Sequence, residues 1–433
     1  MRKMRFCRGL QAPFRKEGTF MNHTSSSHAR KNTLGYVLLS TLAVLAVVLG
    51  CRFCSREAML FTGQTGRVSE TLLVKADTIL SVQTEETVIS QDMAMTQTEV
   101  RFTGTVIYGP RKGDSVAAVQ SYDSLLARRE TPVEKGDWLF VHKMEGVEGY
   151  FAGNFFRIRY LAVLFVVLLA FLILFAGIKG IATTAALGLS IASVFLVFVP
   201  AILSGYNVYL WSLLVCVYSI VITPLFIGGF NKKSLASILG CVGGVSLAAA
   251  LTAVLNVMMK ITGSASEDDM YVMVLLADPI DMRAITFAAV LIGALGSTLD
   301  VSMSIAASVW ELHENGSKRG FAALLESGFN IGRDILGTQI STLILAYIGS
   351  SLSTVLLLAA YQPSLMELLN LEVVIIQLMD MLIGAAAILL TIPFTALVSA
   401  LMLAGEKSGT KRVSELSGNI LPRQTENAPQ ADV

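Results

Sequence analysis

Residues 281–361 read DMRAITFAAVLIGALGSTLDVSMSIAASVWELHENGSKRGFAALLESGFNIGRDILGTQISTLILAYIGSSLSTVLLLAAY. Two apolar segments flank a short polar hairpin, and each segment is long enough to cross a hydrocarbon core of about 30 Å. Asp300 lies well inside the first segment. A carboxylate at that depth costs about 2.5–3.5 kcal/mol on insertion scales and usually faces protein or water instead of lipid. The stretch therefore predicts two membrane-spanning helices with a polar site.

Small and hydroxyl-bearing residues recur around Asp300 at a spacing of three or four, which places them on one face of a helix. The face comprises Gly293, Ser297, Asp300, Ser304 and Ser308, with Gly296 beside it. Small residues let another helix approach closely, and hydroxyls can form hydrogen bonds across the contact. We predict that Asp300, Ser297 and Ser304 line a substrate or ion path. We predict that Gly293, Gly296 and Ser308 pack against another helix.

A second polar face begins the next apolar segment. Asn330, Asp334 and Thr338 are again four residues apart. We assign these three residues to the same path and Gly337 to helix packing. The alternative is that Asp334 and its neighbour Arg333 only anchor the helix at the lipid headgroups. The apolar stripe over residues 321–329 is typical of a separate helix that lies on the membrane surface or beneath the bundle.

The composition places the whole chain among membrane proteins. Its 433 residues are 54% hydrophobic and 15% charged, and the mean hydropathy is +0.64. The net charge of +1 gives no indication of nucleic-acid binding. Hydropathy predicts eight spans, at residues 34–51, 160–178, 181–203, 207–229, 236–259, 284–308, 337–360 and 381–403.

The region between the first two spans has a different character. Residues 52–159 carry mixed charges and short β-like runs such as RFTGTVIY at 101–108 and WLFVH at 138–142. We therefore predict an α-helical polytopic membrane protein of about eight transmembrane helices, with a small β-rich extracytoplasmic domain between helices 1 and 2. A basic cytoplasmic tail at 1–33, an anchor at 34–51, a seven-helix domain at 160–404 and a disordered tail at 405–433 complete the organisation.

The distribution of basic residues predicts the orientation. If the N-terminus is cytoplasmic, every short basic loop falls on the cytoplasmic side, as the positive-inside rule requires. These loops contain Lys179, Lys232, Lys233, Lys318, Arg319, Arg333 and the stretch from Lys407 to Arg412. The β-rich domain and the acidic loop at 262–283 then lie outside, and both termini lie in the cytoplasm.

Two other groups of acids have structural explanations. Asp278, followed by Pro279, and Asp281 suit the capping of a helix start. Asp380 lies near the outer end of the last span, where we expect it at the membrane interface.

The sequence indicates no cofactor, no metal site and no enzymatic activity. Cys51 and Cys54 form a CxxC pair for which a metal or redox role is conceivable, but no second pair and no soluble redox-fold pattern accompany it. The residues VLGC that end at Cys51 also resemble a lipoprotein cleavage box. The long basic segment before them favours an uncleaved anchor. Motifs such as HExxH and the P-loop are absent from the sequence.

The central stretch resembles a known family. LIGALGSTLDVSMSIAASVWEL, followed by ESGFNIGRDILGTQISTLILAYIGSSL, is similar to the core of the YibE/F family of bacterial multi-spanning membrane proteins. The similarity covers roughly residues 60 to 405. It implies a multi-pass protein of the bacterial plasma membrane, of the permease type. It carries no established role onto Asp300, Asn330, Arg333 or Asp334.

Two functions from different classes follow. In the first, the protein is a permease or transporter of a small solute or cation that passes Asp300. In the second, it is a non-transporting scaffold or accessory protein whose outer domain binds a partner, while its polar faces join helices. The lipid bilayer is the expected environment in both cases, and association of identical copies is compatible with both.

Overall fold

The computed structural model describes residues 25–54, 68–90, 93–109, 111–123, 131–144, 146, 149–264, 269, 273, 280–316, 320–361 and 364–404. Most of the two predicted tails and the predicted cap residue Asp278 lie outside the described residues.

The first element is helix α1, Ser25–Cys54. Its described apolar part is Leu38–Cys54, which includes most of the predicted anchor. The Tyr218 hydroxyl donates to the Ala43 carbonyl at 3.1 Å. A Cβ added at Gly50 would lie 3.0 Å from Cγ1 of Val197. Both contacts show that α1 packs closely against later helices of the membrane domain.

A five-stranded barrel follows, as the β-like runs predicted. Its strands are β1 Val68–Ser90, β2 Met93–Tyr108, β3 Ser115–Asp123, β4 Trp138–Met144 and β5 Tyr150–Phe155. The barrel closes in the order β1-β2-β3-β5-β4. Only β3 and β5 pair in parallel; the other pairs are antiparallel. This topology is that of an OB-fold, a Greek-key barrel that hosts many unrelated functions.

Alternation of side chains along the strands builds the barrel core. In β4, Leu139 and Val141 are buried while their neighbours are more exposed, as a period of two requires. They join a cluster that includes Leu72, Val74 and Phe102. The barrel thus has an apolar core of its own.

Among the described residues, seven helices are long and apolar enough to cross a membrane. They are α2 Ile158–Ala176, α3 Ile178–Ser193 continued through α4 Val199–Leu203, α5 Val208–Gly228, α6 Lys232–Met258, α7 Met282–Glu314, α8 Phe321–Tyr361 and α10 Glu372–Ala404. A short helix, α9 Leu365–Asn370, precedes α10. These seven match the seven predicted spans after the anchor, whereas α1, at the position of the predicted anchor, has a shorter described apolar part and is not among the seven.

Helix α10 packs against α6, α7 and α8. Glycines bring the backbones close: a Cβ at Gly240 in α6 would collide with Thr395 of α10, and one at Gly328 in α8 would lie 2.7 Å from Cβ of Ala396. Small residues at such crossings are typical of membrane bundles.

Residues 321–329 are helical, as the apolar stripe predicted, but they do not form a helix of their own. They begin α8, an uninterrupted helix of 41 residues. Leu324 is fully buried and Gly328 faces Ala396, so the apolar stripe packs against the bundle. Arg333 and Asp334, which the alternative interpretation places at the lipid headgroups, are exposed side chains within this continuous helix.

A π-helical segment, Val194–Phe198, joins α3 to α4 immediately before Pro200. Proline lacks an N–H and its ring crowds the preceding turn, so a wider turn at this point accommodates it.

Candidate functional site

Asp300 lies within α7, where the sequence placed it, but on an exposed side of that helix. Its carboxylate has no hydrogen-bond or ion-pair partner among the residues that the structure describes. The predicted cap at the start of α7 is confirmed, because Asp281 accepts the backbone N–H of Arg283 at 3.0 Å. The N-terminus of α7 is thus capped by Asp281. The Asp300 carboxylate, in the middle of the same helix, has no partner among the described residues.

The other predicted path residues also lie on exposed or half-exposed sides of their helices. Ser297 is half-buried and Ser304 is exposed in α7, and Asn330, Asp334 and Thr338 are exposed in α8. The Thr338 hydroxyl donates to the carbonyl of Ile335, within its own helix, at 2.8 Å. Within the described part of the chain, no hydrogen bond joins one of these side chains to another or to Asp300.

Contacts on either side of Asp300 show which part of α8 lies at its depth. A Cβ at Gly293 in α7 would collide with the hydroxyl of Tyr347 in α8, and one at Gly328 would lie 3.4 Å from Val309 of α7. The two helices are therefore antiparallel. With a rise of about 1.5 Å per residue in both, Thr338 lies at nearly the same depth as Asp300.

The four predicted packing residues differ in their surroundings. Gly293 lies against Tyr347, as a contact residue should. At Gly296 and Gly337 a Cβ would meet no atom of the described chain within 4 Å, so the predicted packing is not found there. Ser308 is half-buried and makes no hydrogen bond to another described residue. Within one copy of the chain, other helices therefore cover these predicted packing residues only in part.

The buried polar seam of the bundle lies beside the predicted face of α7, not on it. The Ser237 and Ser302 hydroxyls lie 2.8 Å apart. The Cys241 thiol donates to the Thr298 hydroxyl at 3.4 Å. All four residues are buried. These contacts join α6 to α7 and are the helix-to-helix hydrogen bonds that polar residues form in membranes.

Helix α10 adds a second set of buried hydroxyls. A Cβ at Gly244 of α6 would collide with the Thr391 hydroxyl and would lie 2.8 Å from the Ala387 carbonyl oxygen. Thr395 and Ser399, one and two turns further along α10, are fully buried. Their hydroxyls have no hydrogen-bond partner within the described ranges. The seam is therefore polar, and two of its buried hydroxyls make no hydrogen bond to a described residue.

Sequence reasoning placed Asp380 at the membrane interface and gave it no role inside the bundle. Oδ1 of Asp380 in α10 is buried and has no hydrogen-bond partner among the described residues. The Tyr347 phenol of α8 lies near this carboxyl group. A cleft of about 200 Å³, lined in part by Tyr347, Ser351 and Gln377, lies between α8 and α10. An interfacial position explains an acid near a helix end, but it does not explain a buried oxygen without a partner.

Comparison with family models identifies the membrane part. A model described as YibE/F-like protein matches residues 164–405, more than half of the chain. The chain belongs to the YibE/F-like family. The family match contains α3 to α10 and about two thirds of α2, but not the barrel or α1. The similarity is thus shorter than the range of 60 to 405 expected from the sequence. No curated protein and no solved structure matches the chain.

The YibE/F-like region holds both carboxyl sites and the polar seam. No group of three or more potential metal ligands among His, Cys, Asp and Glu occurs in the described residues. In the CxxC motif, Cys51 is half-buried and Cys54 is buried. Two acids on neighbouring helices, Asp300 and Asp380, are therefore the chemically distinctive groups of the family region.

Proposed function

We propose that this YibE/F-like protein is a permease for a small polar solute or cation, and that Asp300 lies on the transport path. One observation carries the proposal: Asp300 is exposed within a spanning helix and has no partner among the described residues. Contact with lipid would cost about 2.5–3.5 kcal/mol on insertion scales. Water in a path, a bound cation or a proton would each remove that cost.

The residues around Asp300 also support a transport path at this position. Ser297 and Ser304 neighbour it on α7, and Thr338 lies at its depth on α8. The open space at Gly296 and Gly337 leaves room beside these side chains. Hydroxyls, a carboxylate and free volume together suit a hydrated polar solute better than a lipid chain.

We assign the protein to the bacterial plasma membrane, with both termini in the cytoplasm and the barrel outside. The positive-inside distribution supports this orientation. It predicts that a cysteine introduced at the exposed Lys112 of the barrel reacts with an impermeant maleimide in intact cells, in a background with Cys7 and Cys51 replaced by serine. Reaction only after permeabilisation would show that the orientation is the opposite one, with the barrel in the cytoplasm.

Flux through proteoliposomes tests the transport function. Vesicles containing an internal pH dye would be exposed in turn to gradients of H⁺, Na⁺, K⁺, Mg²⁺ and phosphate, with the dye or an ion electrode as readout. We expect a flux above that of protein-free vesicles in at least one case. Asp300→Asn should abolish it, Asp300→Glu should retain part, and the exposed-acid control Glu326→Gln should not alter it. A wild-type flux in the Asp300→Asn variant would show that Asp300 does not act on the transport path.

The scaffold function is the second candidate, because a partner helix or a second copy could equally cover Asp300. Amides join membrane helices well, so a structural role predicts that Asp300→Asn is tolerated and the longer Asp300→Glu is worse. The detergent stability of both variants, measured beside the flux, separates the two functions. Folded protein with no flux under any gradient would favour the scaffold.

A further inference from the structure

The junction between the barrel and α2 lies at the level of the lipid headgroups. Helix α2 has 19 residues, and after Arg159 it contains no charged residue. At about 1.5 Å per residue it measures about 28 Å, little less than the hydrocarbon core of about 30 Å. Its first turn, with Arg159 as the second residue, must therefore lie at the boundary between hydrocarbon and headgroups.

Aromatic rings form a shelf at this junction. The Trp138 ring stacks on Phe156 with a centroid distance of 6.1 Å, and Phe140 meets Phe156 edge-on at 5.8 Å. Tyr160 follows in the first turn of α2. Amphipathic aromatic residues are enriched at the headgroup level of membranes, so the shelf agrees with the depth inferred from the length of α2.

Arg159 stacks on this shelf, and Arg157 lies against a neighbouring ring outside it. The Arg159 guanidinium carbon lies 5.1 Å from the Trp138 ring centroid and 4.5 Å from that of Tyr160. Its Nη2 donates to the Tyr160 hydroxyl at 2.5 Å. The Arg157 guanidinium lies 5.5 Å from the Phe155 ring. Stacking of this kind orients a guanidinium group and leaves its edge free to donate hydrogen bonds.

Neither arginine has an acid partner within the described residues. The two ion pairs found there join Arg101 to Glu99 and Arg111 to Glu70. Asp137, adjacent in sequence to Trp138, accepts the backbone N–H of Glu134 at 2.8 Å. Nε of Arg159 is buried and lacks a hydrogen-bond partner in the described part of the chain. The pair thus presents two positive charges with unused donors.

We propose that Arg157 and Arg159 bind the phosphate of an anionic phospholipid. The planar donor fork of arginine matches phosphate oxygens in pairs. An apolar surface formed by Ile158, Leu161, Ala162, Leu164, Phe165 and Leu168 runs along α2 from the same turn. No residue of α2 is buried, so an acyl chain can lie along it. A soluble phosphate would gain nothing from this apolar surface.

Melting of the full-length protein in phosphatidylcholine nanodiscs tests the site. Phosphatidylglycerol included in the discs should raise the melting temperature of the wild type more than an equal amount of added phosphatidylcholine. The shift should be lost in Arg157→Gln/Arg159→Gln and retained in the control Arg101→Gln, which removes an arginine that is paired with an acid. An unchanged shift in the double variant would overturn the proposal.

Two further measurements complete the test. Inorganic phosphate should give no shift, and a shift equal to that of phosphatidylglycerol would assign the site to soluble phosphate instead of lipid. If the double variant does not fold, Arg157→Gln alone removes an exposed side chain and should lose at least half of the lipid-dependent shift. A full shift in that variant would also overturn lipid binding by the pair.

Discussion

Glu372, the first residue of α10, accepts the backbone N–H of Gly263 at 2.8 Å. The same carboxylate accepts the backbone N–H of Thr262 at 2.6 Å and the Thr262 hydroxyl at 2.9 Å. Gly263 has φ +77°, and a Cβ there would collide with the backbone of Met282. One carboxylate therefore ties the segment after α6 to the start of α10, at a turn that only glycine fits.

We expect Glu372→Gln to destabilise the membrane domain by about 1.5–3 kcal/mol, the usual range for hydrogen bonds to a charged group. The amide keeps the size of the side chain but loses the charge and one acceptor oxygen. Thermal unfolding in detergent, followed by tryptophan fluorescence, measures the change. Glu367→Gln, an exposed acid on α9, is the control and should change little. Equal melting temperatures for the wild type and Glu372→Gln would contradict this role.

Gly244→Ala should destabilise the bundle by about 1–3 kcal/mol, because the added methyl group collides with Thr391 in a packed contact. Gly296→Ala is the matched control: its methyl group meets open space within the described chain and improves helix propensity. Melting temperatures of both variants in detergent make the comparison. A loss of stability in Gly296→Ala would indicate instead that another molecule packs on α7 at that point.

The barrel should fold without the membrane helices, because its strands close on one another around their own apolar cluster. A segment of residues 57–155 is expected to show a β-type circular dichroism spectrum and a cooperative thermal transition. A featureless melt would mean that the barrel depends on the rest of the chain.

The Tyr150 hydroxyl donates to Glu70 at 2.8 Å in the barrel. Burial raises the pKa of Tyr150, and the hydrogen bond to Glu70 raises it further. The folded state therefore holds the phenolic proton more tightly than the unfolded state, whose tyrosine pKa is about 10. The resulting stabilisation is complete below that pH and is lost as the pH rises through the folded pKa.

Tyr150→Phe should cost about 1 kcal/mol at pH 7 through the lost hydrogen bond. Its stability relative to the wild type should improve above pH 10, because phenylalanine does not ionise. Urea unfolding of the barrel at several pH values between 7 and 11 measures both effects. A wild-type to variant difference that stays constant above pH 10 would show that Tyr150 does not titrate in this way.

The spans, and the presence of a carboxylate inside one of them at Asp300, could be recognised from the sequence because both depend on local composition. A long apolar run is recognisable by itself, and a single carboxylate within it is conspicuous. Which side of the helix packs is not local information. Thr298 and Ser302 are buried and the nearby Asp300 is exposed, yet all three are polar. Thr298 fits an apolar contact because its hydroxyl donates to the carbonyl of Ala294 in the preceding turn.

That Asp380 lies near Tyr347 could not be predicted from the sequence for a related reason. The two residues belong to different helices, and only the contact between α8 and α10 brings them close. The space that Tyr347 occupies depends on a third helix, through Gly293. No periodicity within one segment indicates a site that three helices create.

Closure of the barrel limits how a protein partner could bind it. A sheet that closes on itself offers no edge along which a foreign strand could add its backbone. Beyond the barrel, β1 and β2 continue as a two-stranded arm, where residues 93–96 pair with β1 and, within the described chain, with no other strand. This arm is therefore an edge to which a foreign strand could add its backbone, whereas over the closed part of the barrel specificity would have to come from side chains.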